Sequence, residues 1–290
     1  MTNRTATLIG FAAILMWSLL ALLTVASGAV PPFQLAAMTF AIAGTMGAAT
    51  WLFRPGAAAA LRQPAQVWAL GVGGLFGYHA LFFLALRLAP PAEAQLVNYL
   101  WPVLIVLLSS LLPGEHLRLH HFAGAVIALA GTVLLLLSRG GITFAEAYLP
   151  GFAAAFVAAF TWAIYSVMSR RNAAAPTDVV VGFCLATAVL AAIFHAALER
   201  TQWPQTPGQW LAVLGLGLGP VGAAFYAWDI GMKRGEIRVL GVGSYLAPLL
   251  STAFLMLAGY AQPSIWLAIA AALVVGGGVL AAKDMILRRA

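Results

Sequence analysis

The stretch Tyr99-Leu100-Trp101-Pro102-Val103-Leu104 recurs 146 residues later as Tyr245-Leu246-Ala247-Pro248-Leu249-Leu250. The same offset carries Gly71 to Gly217, Gly73 to Gly219, Arg87 to Lys233 and Gly131 to Gly277, and an offset of 145 carries Trp17 to Trp162. A register kept over this much chain marks an internal duplication. The halves fall at residues 1–140 and 148–290, joined by a loop at 141–147.

The duplicated unit is built for lipid. Hydrophobic residues make up 63% of the 290 and charged residues 8%, against about half and about a quarter in a soluble domain. Cutting the chain at charged, Pro- or Gly-bearing breaks predicts ten spans near 6–27, 33–53, 66–87, 92–112, 120–138, 148–169, 178–198, 209–232, 237–258 and 264–286. The fold class is therefore an all-α integral membrane protein, with no room for a sizeable soluble domain. The apolar stretch from Ala6 to Ala26 is too long for a signal-peptide core and reads as the first span.

With the N-terminus cytoplasmic, the inner side collects Arg4, Arg54, Arg62, Arg118, Arg170, Arg171, Lys233, Arg234, Arg238, Lys283, Arg288 and Arg289, and the outer side keeps Arg87, Arg139 and Arg200. Twelve against three is a strong positive-inside bias, so both termini are placed in the cytoplasm. The net charge of +7 is thus a topology signal and does not point to nucleic acid. Cys184 is the one cysteine, which excludes an intrachain disulfide and a thiolate metal site. No cofactor is indicated.

Five spans per half is an odd number, so the second half must enter the membrane from the opposite side. Such inverted repeats build two exchangeable gates around one midplane site in secondary transporters, and transport is the function this architecture favours. Pro102 and Pro248 sit at matched positions in spans 4 and 9, where each removes a helix hydrogen bond, and they are read as hinges. Gly73 with Gly77, Gly215 with Gly219, and Gly276, Gly277 and Gly278 are read as helix-packing positions.

Trp51, Trp68, Trp203, Trp210 and Trp266 fall at span ends, as interfacial anchors do. Trp17, Trp101 and Trp162 lie at depth, where an indole N–H must find protein or a cavity. Tyr78 and His79 in span 3 are continued along the helix by Phe82 and Phe83, and Asn98, Tyr99 and Trp101 cluster in span 4. Spans 6, 8 and 9 add Thr161, Tyr165, Ser166, Tyr226, Ser244 and Tyr245. Polar tips on aromatic bodies suit a cavity for an amphipathic, ring-bearing solute. His79 could donate to a substrate carboxylate, take a proton, or simply be bonded within the bundle. Asp229 is expected to pair with Lys233, and Glu93 lies within reach of Arg87. His195 reads as peripheral, and His116, His120 and His121, with Arg118 among them, do not read as a metal site.

The chain resembles the drug/metabolite transporter superfamily, in its branch of ten-helix bacterial exporters with duplicated EamA-type halves. The resemblance rests on Trp17-Ser18, the two Tyr-Leu-x-Pro segments and Glu115 at the end of span 4, which has no second-half partner because Ala261 stands there. Tyr78-His79 and Asn98 to Pro102 are similar to the aromatic amino-acid exporters of that superfamily. This implies export of phenylalanine, tyrosine or tryptophan across the bacterial inner membrane, through a central cavity. The partners expected are the small-molecule substrate and the lipid bilayer, and the chain is expected to act as a monomer. An exporter of other small metabolites, neutral amino acids or drugs is the alternative; cationic cargo would favour a carboxylate at mid-depth, and none is there. A membrane enzyme would need paired acids, a metal set or a phosphate-binding lysine in loops that are too short and too poor in such residues.

Overall fold

The computed structural model describes residues 1–113, 117–138, 145–257, 259 and 264–284. Glu115, His116, Arg139, Ala261, Arg288 and Arg289 lie outside the described residues. Ten apolar helical spans follow one another: Asn3–Ala26, Pro32–Phe53, Ala65–Leu88, Pro91–Ser109, Leu119–Leu137, Glu146–Arg171, Val179–Leu198, Pro207–Arg234, Ile237–Leu257 and the shorter Ile265–Ala281. Nine of them, among the described residues, are long and apolar enough to cross a membrane. All described boundaries except the end of span 10 fall within three residues of the sequence-based ones.

The duplication is visible in the packing. Span 1 lies against span 8, and span 6, the mate of span 1, lies against span 3, the mate of span 8. Spans 2 and 7 pair with each other, as do spans 5 and 10. These mated spans run antiparallel. Gly124 of span 5 meets Gly277 of span 10, while Gly131, further along span 5, meets Ala270, earlier in span 10. Adding 146 to Gly124 and Gly131 yields Ala270 and Gly277, so a two-fold operation converts one contact into the other. The chain is therefore two five-helix repeats with inverted topology.

Interruptions also follow the register. Span 3 carries a π-helical turn at Gly73–Gly77 and span 8 one at Gly219–Ala223, 146 residues on. Span 4 breaks between Pro91–Asn98 and Trp101–Ser109, and span 9 between Ile237–Gly243 and Leu246–Leu257. Each break lies just before its proline. Pro102 and Pro248 have no N–H for the carbonyls of Asn98 and Ser244, so the helix opens there. Span 1 breaks after Trp17 and restarts at Leu20, whereas its mate, span 6, continues unbroken over Leu149–Arg171.

The glycines correct one expectation. A Cβ on Gly73, Gly219, Gly276 or Gly278 would meet nothing within 4 Å, and on Gly77 or Gly215 only side-chain carbons at 3.7–3.8 Å. Gly277 alone of that set is tightly packed, its would-be Cβ 2.5 Å from the Gly124 carbonyl oxygen. Spacing locates glycines on a helix face but not which face meets backbone. The close approaches lie elsewhere: Gly71 on Phe183, Gly74 on Tyr165, and Gly10 against Gly231 where spans 1 and 8 cross.

Candidate functional site

The helix breaks of spans 1 and 4, the turn of span 3 that follows its π turn (Tyr78 to Phe82) and the π turn of span 8 surround a cavity of about 480 Å³. Seven of the residues singled out from sequence line it: Trp17, Tyr78, His79, Asn98, Tyr99, Trp101 and Trp162. The cavity runs toward the later half of span 1 (Leu20 to Val25), the first turns of span 4 (Gln95) and the later half of span 9 (Ser251). It thus extends to one side of the bundle only.

Its position on the two-fold axis follows from a simple test: a residue and its repeat mate can touch only near that axis. Trp17 and Trp162 have ring centroids 5.6 Å apart, and His79 and Phe225 6.2 Å. The Tyr245 hydroxyl donates to the Tyr99 carbonyl at 3.0 Å. Three mated pairs meet at the cavity or its wall.

The lining is aromatic with polar tips. Trp17, Trp101, Trp162 and Trp228 form a cluster with centroids 4.9–6.3 Å apart, and Tyr78 adds its ring 5.3 Å from Trp162. Such ring pairs contribute about 0.5–1.5 kcal/mol each beyond area burial. The Trp17 indole N–H donates to the Pro220 carbonyl at 3.0 Å, and Trp228 to Ser166 Oγ at 3.0 Å. The first bond joins the break in span 1 to the π turn of span 8. The Asn98 amide donates to the Tyr78 hydroxyl at 3.1 Å. His79 Nδ1 lies 2.7 Å from the Leu75 carbonyl, so Nδ1 carries the proton and donates; in the neutral ring Nε2 is the acceptor.

Six candidates lie away from the cavity. Thr161 bonds back to the Val157 carbonyl at 2.8 Å, and Ser166 is buried, accepting the Trp228 indole N–H at 3.0 Å. Tyr165 is buried behind Trp162, with centroids 5.2 Å apart. Tyr226 donates to the Ala43 carbonyl at 3.2 Å in the contact with span 2. Ser244 bonds back to the Leu240 carbonyl at 2.8 Å, and Tyr245 is wholly buried in its bond to Tyr99. Equal treatment of two halves cannot show that the cavity opens on one side only. Conversely, Gln95, Thr24 and Phe225 line the cavity, and Trp228 packs on Trp17, without having been singled out. The register held the signal for two of them, since Phe225 is the mate of His79 and Trp228 the mate of Phe82.

Opposite the cavity, spans 1, 6 and 8 form a thick seal. Arg170 Nη1 donates to the carbonyls of Met232 at 3.2 Å and Gly235 at 2.5 Å, and the Glu236 N–H donates to Thr7 Oγ1 at 2.9 Å. Asp229 and Lys233 pair at 2.9 Å, both side chains buried.

The antiparallel pair of spans 2 and 7 is clamped at both ends. The Glu199 carboxylate accepts the N–H groups of Phe33 and Gln34 at the start of span 2, each at 3.1 Å, with Arg87 at 3.4 Å and His195 Nδ1 at 3.0 Å. A carboxylate at a helix N-terminus is favoured by the helix dipole. His195 is therefore part of a polar knot. At the other end Arg54 grips Asp178 at 2.7 Å, helped by the Trp51 indole at 3.2 Å. Partial burial raises the Asp178 pKa, but the hydrogen bonds from Arg54 and Trp51 and the Arg54 charge outweigh it and hold the carboxyl below its ordinary value. His120, His121 and Asp284 gather within 4.8 Å of one another. Arg118 binds Asp284 at 2.8 Å, and the Arg118 N–H donates to His121 Nδ1 at 3.1 Å.

This geometry offers room for a planar, partly polar solute near the axis between the two repeats, open to one side. The sequence profile described as the EamA-like transporter family matches residues 4–137 and 149–282. The aromatic amino acid exporter YddG of Ancylobacter novellus is 60% identical over 282 residues, covering 97% of this chain and 98% of that protein, and the YddG exporter of Escherichia coli is 28% identical over 97% of each. One crystal structure of a chain 58% identical to this one superposes with a TM-score of 0.94 over 99% of both. The chain belongs to the EamA-like transporter family.

Proposed function

We propose that the protein exports aromatic amino acids (phenylalanine, tyrosine and tryptophan) from the bacterial cytoplasm across the inner membrane by alternating access through the axial cavity. The single observation that carries this reading is the cavity itself. At about 480 Å³ it falls in the range of sites for small organic ligands, and its walls are indole and phenol rings with hydrogen-bonding tips. The names of the relatives in Ancylobacter and Escherichia support the same substrate class. Trp17, Tyr78, His79, Asn98, Tyr99, Trp101 and Trp162 are the proposed contacts, with Gln95 and Phe225 added.

With the arginine-rich ends and both termini cytoplasmic, the cavity extends toward the outer face, and the seal of spans 1, 6 and 8 closes the cytoplasmic side. Residues 1–140 and 148–290 act as the two gating repeats around hinges at Pro102 and Pro248, within a monomer. No metal, cofactor or catalytic chemistry is invoked.

Uptake of labelled tryptophan, phenylalanine, threonine and a quaternary amine into proteoliposomes, with and without a pH gradient, tests the assignment. Tryptophan and phenylalanine are expected to be carried and to compete with each other. Transport of the amine alone, or of threonine in preference to both, would refute it.

A further inference from the structure

The cavity lining offers no Asp, Glu, Lys or Arg among the described residues, only the titratable groups of Tyr78, His79 and Tyr99. An amino acid nevertheless carries an ammonium and a carboxylate, and shedding their water costs several kcal/mol unless opposite charges receive them. The bundle holds such a pair one layer deeper. Asp229 follows Trp228 of the aromatic cluster, and Lys233 stands one turn on, with Nζ 2.9 Å from Asp229 Oδ2 and donating to the Ala175 carbonyl at 2.9 Å. Their side chains are 2% and 5% exposed.

Two further features suggest a ligand in place of simple packing. The pair borders a void of about 10 Å³ that Tyr165, Ser169 and Asn172 also line. The Tyr165 hydroxyl is buried there beside Ser169, and the Tyr165 ring lies 5.2 Å from that of Trp162 on the cavity wall, so one side chain touches both spaces. A buried ion pair is a weak source of stability, and ionisable groups buried between membrane spans are candidates for function. The void is too small for an amino acid in this state. It lies at the ends of spans 6 and 8 that carry Arg170, Arg171 and Arg234, the side now sealed, with Asn172 and Lys233 in its wall.

We propose that Asp229 and Lys233 form an inner subsite for the charged end of a zwitterionic amino acid, occupied when the sealed side opens. The inference rests on the amino-acid reading above. The substrate ammonium takes the Asp229 carboxylate and the substrate carboxylate takes the Lys233 ammonium, so one ion pair becomes two and no net charge is buried. The aromatic side chain then advances past Trp162 toward the axial cavity.

The test is competition against labelled tryptophan flux by unlabelled tryptophan, tryptamine and indole-3-propionate in proteoliposomes, for wild type, Asp229→Asn and Lys233→Met. Wild-type flux of tryptophan checks the underlying reading separately. Lys233→Met is expected to cut the advantage of tryptophan over tryptamine by about tenfold, the size of one lost charge-assisted hydrogen bond, and Asp229→Asn to cut its advantage over indole-3-propionate similarly. Variants without flux are read by thermal stabilisation of purified protein with the same three ligands, including the charge-free double variant. Equal losses for all three ligands, or unchanged preferences, would make the pair a structural one and overturn the proposal.

Discussion

Gly276, Gly277 and Gly278 are consecutive residues of one helix, and alanine at each should act differently. A Cβ on Gly277 would stand 2.5 Å from the Gly124 carbonyl oxygen, 2.8 Å from the Ala128 nitrogen and 3.0 Å from the Ala128 Cβ. Ordinary contact begins near 3.4 Å and tolerable crowding near 3.0 Å, so spans 5 and 10 must part by roughly 0.5–0.9 Å. None of these can yield cheaply, because two are backbone atoms of the facing helix and the third is a Cβ fixed to that backbone. Overpacking of this kind costs about 1–3 kcal/mol. The loss is felt along the whole crossing, since helix association in lipid rests on close contact. At Gly276 and Gly278 a Cβ meets nothing, and alanine there gains about 0.4–1 kcal/mol by restricting the unfolded chain. At about 2–4 °C per kcal/mol, Gly277→Ala should melt several degrees below wild type and the other two at or slightly above it. Thermal melts of the purified protein in one detergent, followed by tryptophan fluorescence, decide the matter. If all three variants shift alike, the assignment of Gly277 as the crossing residue fails.

Two other outcomes follow from the same structure. Because Asp178 is held below its ordinary value of 3.8, its pairing with Arg54 contributes stability above that value and loses it as the pH falls through the folded-state value; Asp178→Asn should therefore melt below wild type at pH 7, with the gap closing below about pH 4, and a gap independent of pH would contradict this. Replacing Pro102 and Pro248 together by alanine should heal the breaks in spans 4 and 9 and slow labelled tryptophan exchange at least about tenfold, on the order of a 1.4 kcal/mol higher barrier, with folding checked by melts; an unchanged rate would remove the hinge role.

What could be read from sequence was whatever repeats or alternates. The 146-residue register gave the inverted halves and the matched breaks before Pro102 and Pro248, because duplication preserves spacing, and it marked Trp17 and Trp162 as near-equivalent, one residue out of register, though not that they touch. Asp229 and Lys233 were legible as a pair because residues four apart share a helix face. The Glu199 clamp was not, since it joins a loop to a helix start 166 residues away and no period encodes that contact.

The residues that escaped at the cavity share one cause. Tyr99 and Tyr245 are equivalent in sequence, yet the first lines the cavity and the second is sealed and bonded to it. A transporter built from two alike halves must make them unalike in any one state, because closing one gate requires packing that opening the other undoes. Exchange of the states would carry Tyr245 toward a cavity on the opposite side and bury Tyr99. The asymmetry that sequence comparison could not supply is therefore the conformational state itself, and Trp228, Tyr165 and Asp229, all buried, stand on the side that the proposed exchange would open.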